Sequence, residues 1–182
     1  MARAVTTSVE ALSAFRGTDL PDLCDASDAA IAEGGGFGWV QAPPRDIMES
    51  YWRGVLLVPE RRLFVARLDG TICGSAQLVH PARNNEAQAF AATLMHNFIA
   101  PWARGHGLAR RVVVAVEEGA REAGFAILNL DVRATQTAAI QLYETLEYVR
   151  WGTHPAYARV AGAVIHGYYY FKRLTPAGEA AP

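Results

Sequence analysis

The chain has 182 residues, 51% apolar and 19% charged, a balance that suits a globular fold with a sizeable core and excludes a disordered chain. Its formal net charge is −1 and no basic run exceeds two residues, so nothing draws it generally to nucleic acid or to an anionic membrane, and neither is an expected partner. Cys24 and Cys73 form no Cys-x-x-Cys unit and read as buried apolar side chains; with an N-terminus, "MARAVTTSVEALSAF", that lacks a signal-peptide core, this suits a cytoplasmic protein.

In chain order, the segment up to Leu12 reads as a strand. Residues 19–33 read as a helix, with Leu20, Leu23, Ala26, Ala30 and Ile31 near helical spacing and Pro21 in the first turn. "EGGGFGW", 33–39, ends it in a loop where backbone is free to move or to approach a ligand closely. A second helix follows within 43–57. The period then changes. Residues 62–68 and 71–80 read as strands joined by Asp69-Gly70, a strong hairpin signal. A third strand within 86–100 stops at Pro101, and a helix follows over about 107–123, closed by Gly124. "FAILNLDV", 125–132, has the near-continuous apolar character of a strand at a sheet centre. Residues 137–148 are amphipathic helix, and strands near 148–154 and 163–174 complete the chain. The order is α+β around a mixed sheet, a single domain over 3–174, with "TPAGEAAP", 175–182, as a flexible tail. The unit over 94–131 is expected to be a parallel crossover.

The helix after Pro101 opens unusually. Arg110 and Arg111 fall in its first turn, where the helix dipole favours acidic residues. Gly105 and Gly107 just precede them. A glycine loop entering a helix N-terminus exposes unpaired N–H groups and makes an anion site, most often for phosphate. Such a site would account for the arginines. The same loop with solvated arginines is also an ordinary tight turn, and the Lys-Ser/Thr of a P-loop is missing.

Two stretches together resemble the GNAT superfamily of N-acetyltransferases. Arg104-Gly105-His106-Gly107-Leu108-Ala109 is similar to that family's pyrophosphate loop. Gln136-Thr137-Ala138-Ala139-Ile140-Gln141-Leu142-Tyr143-Glu144, followed by Glu147-Tyr148, is similar to its second motif, with Gln136 for the usual asparagine and Glu147 for the usual glycine. Stretches such as "GGGFGW", "LNLDV" and "HPAYARVAGAVIHGYYYFKRL" are diffusely similar to tabtoxin-resistance acetyltransferase, which acetylates a small β-lactam amino acid. The resemblance implies the GNAT fold, a mixed sheet of about seven strands flanked by about four helices. It implies acetyl-CoA as cosubstrate and direct acetyl transfer to an amine, with a small amino-acid-like, toxin-like or antibiotic-like molecule as acceptor. A peptide or protein acetyltransferase and a non-catalytic acyl-CoA sensor are the other readings.

The implied cofactor contacts are the backbone of Asn97, Phe98 and Ile99 on a splayed strand. Around the phosphates come Arg104, Gly105, His106, Gly107, Leu108, Ala109 and Arg110. Gln136, Ala139 and Tyr143 follow on the next helix. Tyr143 is the implied proton donor to the departing thiolate, although its spacing also fits a core tyrosine. Asp131, at the end of an apolar strand, and His96, with an intrinsic pKa of about 6.5, are rival bases; a water is the third option. Phe37, Trp39, Asp131 and Tyr157 are the acceptor-side candidates. His80, His154 and His166 are scattered without metal-ligand spacing, so no metal is expected. A homodimer paired through the aromatic C-terminal strand is a further expectation.

Overall fold

The computed structural model describes residues 4–35 and 37–174; the expected tail at 175–182 lies outside them. The elements are β1 (Thr7–Leu12), α1 (Asp19–Ala32), α2 (Arg45–Leu57), β2 (Arg61–Leu68), β3 (Thr71–Val79), β4 (Ala91–Ile99), α3 (Leu108–Glu122), β5 (Ile127–Arg133), α4 (Thr137–Thr145), β6 (Val149–Val160) and β7 (Ala163–Arg173). The strands form one sheet in the order β1-β2-β3-β4-β5-β7-β6. Every neighbouring pair is antiparallel except β4 and β5, which are parallel across the α3 crossover.

Period-2 alternation sorts the side chains of β2 to opposite faces. Leu63 and Val65 join Leu23, Ile31 and Trp52 under α1 and α2. Phe64 and Ala66 join Val112, Val116, Leu128 and Tyr170 under α3 and α4. The sheet is therefore sandwiched between two helical layers. β3 is the strand buried continuously, from Ile72 to Leu78. The expected central strand, β5, instead alternates, because one of its faces borders a cleft.

Other differences from the sequence reading have local causes. The third strand begins only at Ala91, after a short 3₁₀ turn at Glu86–Gln88. β6 runs on to Val160 through Pro155, where pairing jumps from His154↔Gly167 to Ala158↔Ile165. An edge strand with an irregularity tolerates a residue that lacks an N–H donor. The Asp69-Gly70 hairpin forms with positive φ at both residues, 50° and 87°, as its turn type requires. The C-terminal strand β7 is paired on both sides, by β5 and β6. It has no free edge for pairing across a dimer; the free edge at that end of the sheet is β6.

α3 is tied to β7 by a buried charge cluster. The Glu117 side chain, 4% exposed, accepts from Lys172 Nζ at 2.8 Å and from Arg121 at 3.3 Å. Removing Lys172 from this buried cluster leaves Glu117 with Arg121 alone, at a cost of about 1.5–3 kcal/mol. Lys172→Met is expected to lower unfolding stability by about that amount in urea titrations; a loss under about 0.5 kcal/mol would show that Glu117 draws nothing from Lys172.

Candidate active site

The site originates in a defect of the sheet. β4 and β5 pair only at Ala91↔Ile127, Ala92↔Leu128 and Thr93↔Asn129. Beyond these three residues the strands diverge. On the opposite edge of β4, two residues, His96 and Asn97, sit across from the single Ala76 of β3, between the pairs Ser75↔Phe98 and Gln77↔Met95. His96 takes φ +50°, rare for a residue with a side chain. A bulge of this kind bends the strand and re-aims its side chains, and here it does so where the sheet opens.

A cleft of about 560 Å³ occupies one side of the opening. Its walls include the 97–99 stretch of β4, the loop at Arg104–Gly107, the first turn of α3 and the first turn of α4. Gly105 and Gly107 take φ +84° and +71°, values that side-chain-bearing residues rarely adopt. Gly107 caps α3 without a side-chain hydrogen bond, and the first turn holds no acidic residue. α4 likewise starts without a side-chain cap. Two helix N-termini with unspent donors thus face one cleft, an arrangement that favours anions.

The three arginines diverge. Arg104 pairs with Glu33 at 2.6 Å. Arg110 lines the cleft and is in no salt bridge among the described residues. Arg111 turns away, donating to Thr7 Oγ1 at 2.5 Å. His106 folds back on its own loop, with Nδ1 3.0 Å from the Arg104 carbonyl, and is not on the cleft wall. Leu108 reaches the cleft although it is 2% exposed and packs with the α3 core. Gln136 does not cap α4. Its Nε2 donates to the Gly34 carbonyl at 2.5 Å, fastening the glycine-rich loop beside the cleft.

A second cavity, about 470 Å³, lies on the other side. Phe37, His96, Asp131, Arg133, Tyr157 and Arg159 are on its wall. It shares Asn97, Gln136 and Ala139 with the first cavity, and Tyr143 also borders it. Asp131 accepts a hydrogen bond from the Tyr157 hydroxyl. Tyr157 reaches it by lying across Gly167, where any Cβ would collide with the ring. Arg133 donates to the Phe37 carbonyl. Neither Arg133 nor Arg159 forms a salt bridge among the described residues.

Trp39 is not on this wall. It packs behind Phe37, ring centroids 6.0 Å apart, and edge-on to Tyr51 at 5.0 Å. Of the consecutive tyrosines in β7, none borders the cavity: Tyr170 is fully buried, and Tyr169 packs against Trp151 and Tyr157. The sequence reading gave Asn97 a backbone role only. Its side chain also matters: Nδ2 donates to the Tyr143 hydroxyl at 3.2 Å, and Oδ1 is buried without a partner. Arg133 and Gln77 were missed as well, since isolated polar residues in strands carry no spacing signature.

The environments separate the titrating groups. Burial, chiefly, pushes the Tyr143 phenol up to about 12, opposed by the Asn97 hydrogen bond, so it stays protonated near neutrality. Burial lowers His96 to about 4, and the Arg61 guanidinium adds to this against a weaker pull from Asp131. The expected titration of His96 near neutrality is thus displaced by desolvation of its charged form. Tyr157 is raised by burial and then by its bond to Asp131.

The comparisons with known proteins agree with this architecture. The acetyltransferase (GNAT) family model matches residues 28–148. The N-acetyltransferase in the hisH–hisA intergenic region of Azospirillum brasilense is 68% identical over 129 residues, 71% of this chain and 77% of that protein. The chain belongs to the acetyltransferase (GNAT) family. Among solved structures, a phosphinothricin acetyltransferase from Sinorhizobium meliloti in complex with acetyl-CoA has TM-score 0.77 at 17% identity, over 97% of this chain and 93% of that one. The ribosomal-protein-alanine N-acetyltransferase of Brucella melitensis has TM-score 0.77 at 20% identity, over 92% and 99%. At such identities these two speak for the fold.

His96 gives a pH prediction. Its folded pKa is about 4 against about 6.5 unfolded, so the unfolded chain binds the extra proton first. Stability from this group is full above about pH 6.5 and is lost as pH falls toward 4. In His96→Gln, unfolding free energy is expected to fall less over that window than in wild type, by on the order of 3 kcal/mol. Identical acid slopes would mean that His96 titrates normally in the fold.

Proposed function

We propose that the protein transfers the acetyl group of acetyl-CoA to the primary amine of a small molecule that also carries an anionic group, by direct attack in a ternary complex. The observation that carries this reading is the pair of cavities sharing Asn97, Gln136 and Ala139 where β4 and β5 part. A thioester threaded from one side meets an amine from the other. On the first side, the uncapped α3 N-terminus and Arg110 suit a pyrophosphate. The free edge of β4 suits the amides of a pantetheine arm, and the unpartnered Asn97 Oδ1 suits an N–H donor.

The residues divide the chemistry as follows. Asp131 takes a proton from the ammonium and passes it to solvent, which frees the nitrogen lone pair. The nitrogen bonds to the thioester carbon, and the carbon–sulfur bond breaks. The Tyr143 hydroxyl accepts from Asn97, so its own hydrogen is uncommitted and goes to the departing sulfur. Tyr143 then regains a proton from the second one that nitrogen sheds as the amide forms. The burial that raises the phenol also raises the proton affinity of a thiolate formed beside it, which keeps the transfer matched.

Charge supports the acceptor class. Asp131 is the carboxylate on the second cavity, and it faces two arginines, Arg133 and Arg159, that no carboxylate neutralises among the described residues. An ammonium beside Asp131 leaves the guanidinium groups for a carboxylate or comparable anion. The cavity of about 470 Å³ fits the amino-acid-like acceptor that the tabtoxin-resistance likeness also implies.

Free-thiol release from acetyl-CoA, measured over amino acids, their decarboxylated amines, polyamines and short peptides, tests this reading. Amino acids or similar anionic amines are expected to be preferred, and Arg159→Ala should raise the acceptor KM about tenfold with kcat little changed. Tyr143→Phe should lower turnover about 100-fold or more with acetyl-CoA affinity kept. A preference for peptides or for the decarboxylated amines would overturn the acceptor class, and unchanged Tyr143→Phe turnover would remove the tyrosine as the acid.

A further inference from the structure

His96 is held from behind by a chain of hydrogen bonds that leads out of the acceptor cavity. Arg61 Nη1 donates to Gln77 Oε1 at 2.8 Å. Gln77 Nε2 donates to the Tyr51 hydroxyl oxygen at 3.0 Å. The same hydroxyl is 2.9 Å from His96 Nδ1. Gln77 is fully buried, and Trp52 and Phe37 pack on Tyr51 and His96 respectively, so the chain sits among rigid, mostly apolar neighbours.

The direction of every bond in this chain follows from donor and acceptor identity. A guanidinium only donates, so the Gln77 atom facing Arg61 is its oxygen, and its amide nitrogen must face Tyr51. An amide nitrogen only donates, so the Tyr51 oxygen accepts there. Among the described residues the hydroxyl's other hydrogen-bond partner is His96 Nδ1, so its single hydrogen points there. Turning it elsewhere leaves a buried donor unpaired, at a cost of about 1–3 kcal/mol. A ring that accepts at Nδ1 carries its hydrogen on Nε2 when neutral. No described protein group bonds Nε2, and His96 borders the acceptor cavity.

We propose that the Arg61–Gln77–Tyr51 chain fixes His96 as the Nε2–H tautomer, making the imidazole a hydrogen-bond donor to an oxygen in the acceptor cavity and not a proton acceptor. Tyr51, Gln77 and Arg61 are then positioning residues for His96. Protonating His96 at Nδ1 would set a second hydrogen against that of Tyr51, so the chain opposes the cation as burial and Arg61 do. The proton from the substrate ammonium falls to Asp131, across the same cavity. The oxygen that His96 meets belongs to the acceptor molecule or to a water that orients it. This deepens the acetyltransferase reading by dividing the two rival bases into one base and one fixed donor.

The tautomer is measurable without turnover. In protein labelled with ¹⁵N-histidine, with His96 assigned by its absence in His96→Gln, two-bond ¹H–¹⁵N correlation at neutral pH is expected to give a pyridine-like shift for Nδ1 and a pyrrole-like shift for Nε2. Tyr51→Phe removes the hydrogen that Nδ1 accepts and is expected to yield averaged or exchanged tautomers. Pyrrole-like Nδ1 in wild type, or an unaltered ratio in Tyr51→Phe, overturns the proposal. Turnover supplies a second arm. His96→Gln keeps an amide donor and should stay within about threefold of wild type with its acidic pH limb intact, whereas His96→Leu should fall about tenfold. Loss of the acidic limb in His96→Gln would make His96 the base and overturn the proposal. A protein that acetylates no amine would sink the functional reading alone, since the nitrogen shifts still decide the tautomer.

Discussion

The structure turns on one unfulfilled requirement. Backbone N–H and C=O groups in a buried strand need partners, and β4 finds them along β5 for only three residues. Past Thr93 the two parallel strands separate inside a sheet that is otherwise paired from β1 to β6. The bulge at His96 and Asn97 lies at the same height on the opposite edge of β4. The strand therefore leaves one neighbour and kinks against the other over the same few residues. The gap that results lies where the two cavities share Asn97, Gln136 and Ala139, and in the proposed function an extended ligand with its own amides would complete the ladder there.

The surroundings follow from where the gap is. α3 and α4 each begin just after a strand that borders it, so their N-termini converge on one mouth. The first turn of α3 holds no acid and points Arg110 at the cleft, an arrangement that the dipole disfavours alone and that the anion of the proposed function would favour. The far mouth has the opposite design. It is lined by Phe37 and Tyr157 and, among the described residues, carries one carboxylate against two guanidinium groups. Two polar groups near the gap are set by burial, a phenol kept protonated and an imidazole kept neutral, and the Asp131 carboxylate is exposed beside them. Asp131 lies close enough to raise the proton affinity of both Tyr143 and His96.

Much of this is legible in the residues, and the limits have physical causes. Element order and the Asp69-Gly70 turn follow from period and local backbone preference, which neighbouring residues carry. Gly105 and Gly107 are readable for the same reason, since only their backbone conformation is at issue. What escaped the sequence depends on pairing across the chain. Nothing local in β4 announces a bulge, so the side chain of Asn97 and the turn of His96 toward Tyr51 were invisible. Trp39 looked like a pocket aromatic because composition cannot tell a lining ring from the one packed behind it. His106, central in the loop, bends back on neighbouring carbonyls, a choice that backbone geometry makes after the fold is set. β7, with its run of aromatic residues, looked like a strand for pairing across a dimer, but β5 and β6 flank it inside the sheet.

The central claim is that acetyl-CoA lies in the gap between β4 and β5 with its phosphates on the α3 N-terminus. Hydrogen–deuterium exchange with and without acetyl-CoA tests it at the backbone itself. The account predicts slowed exchange concentrated at residues 97–99 and at 108–110. Protection absent from both stretches, or centred on the cavity of about 420 Å³ at the other end of the strands beside His80, Phe90 and Trp151, would contradict it.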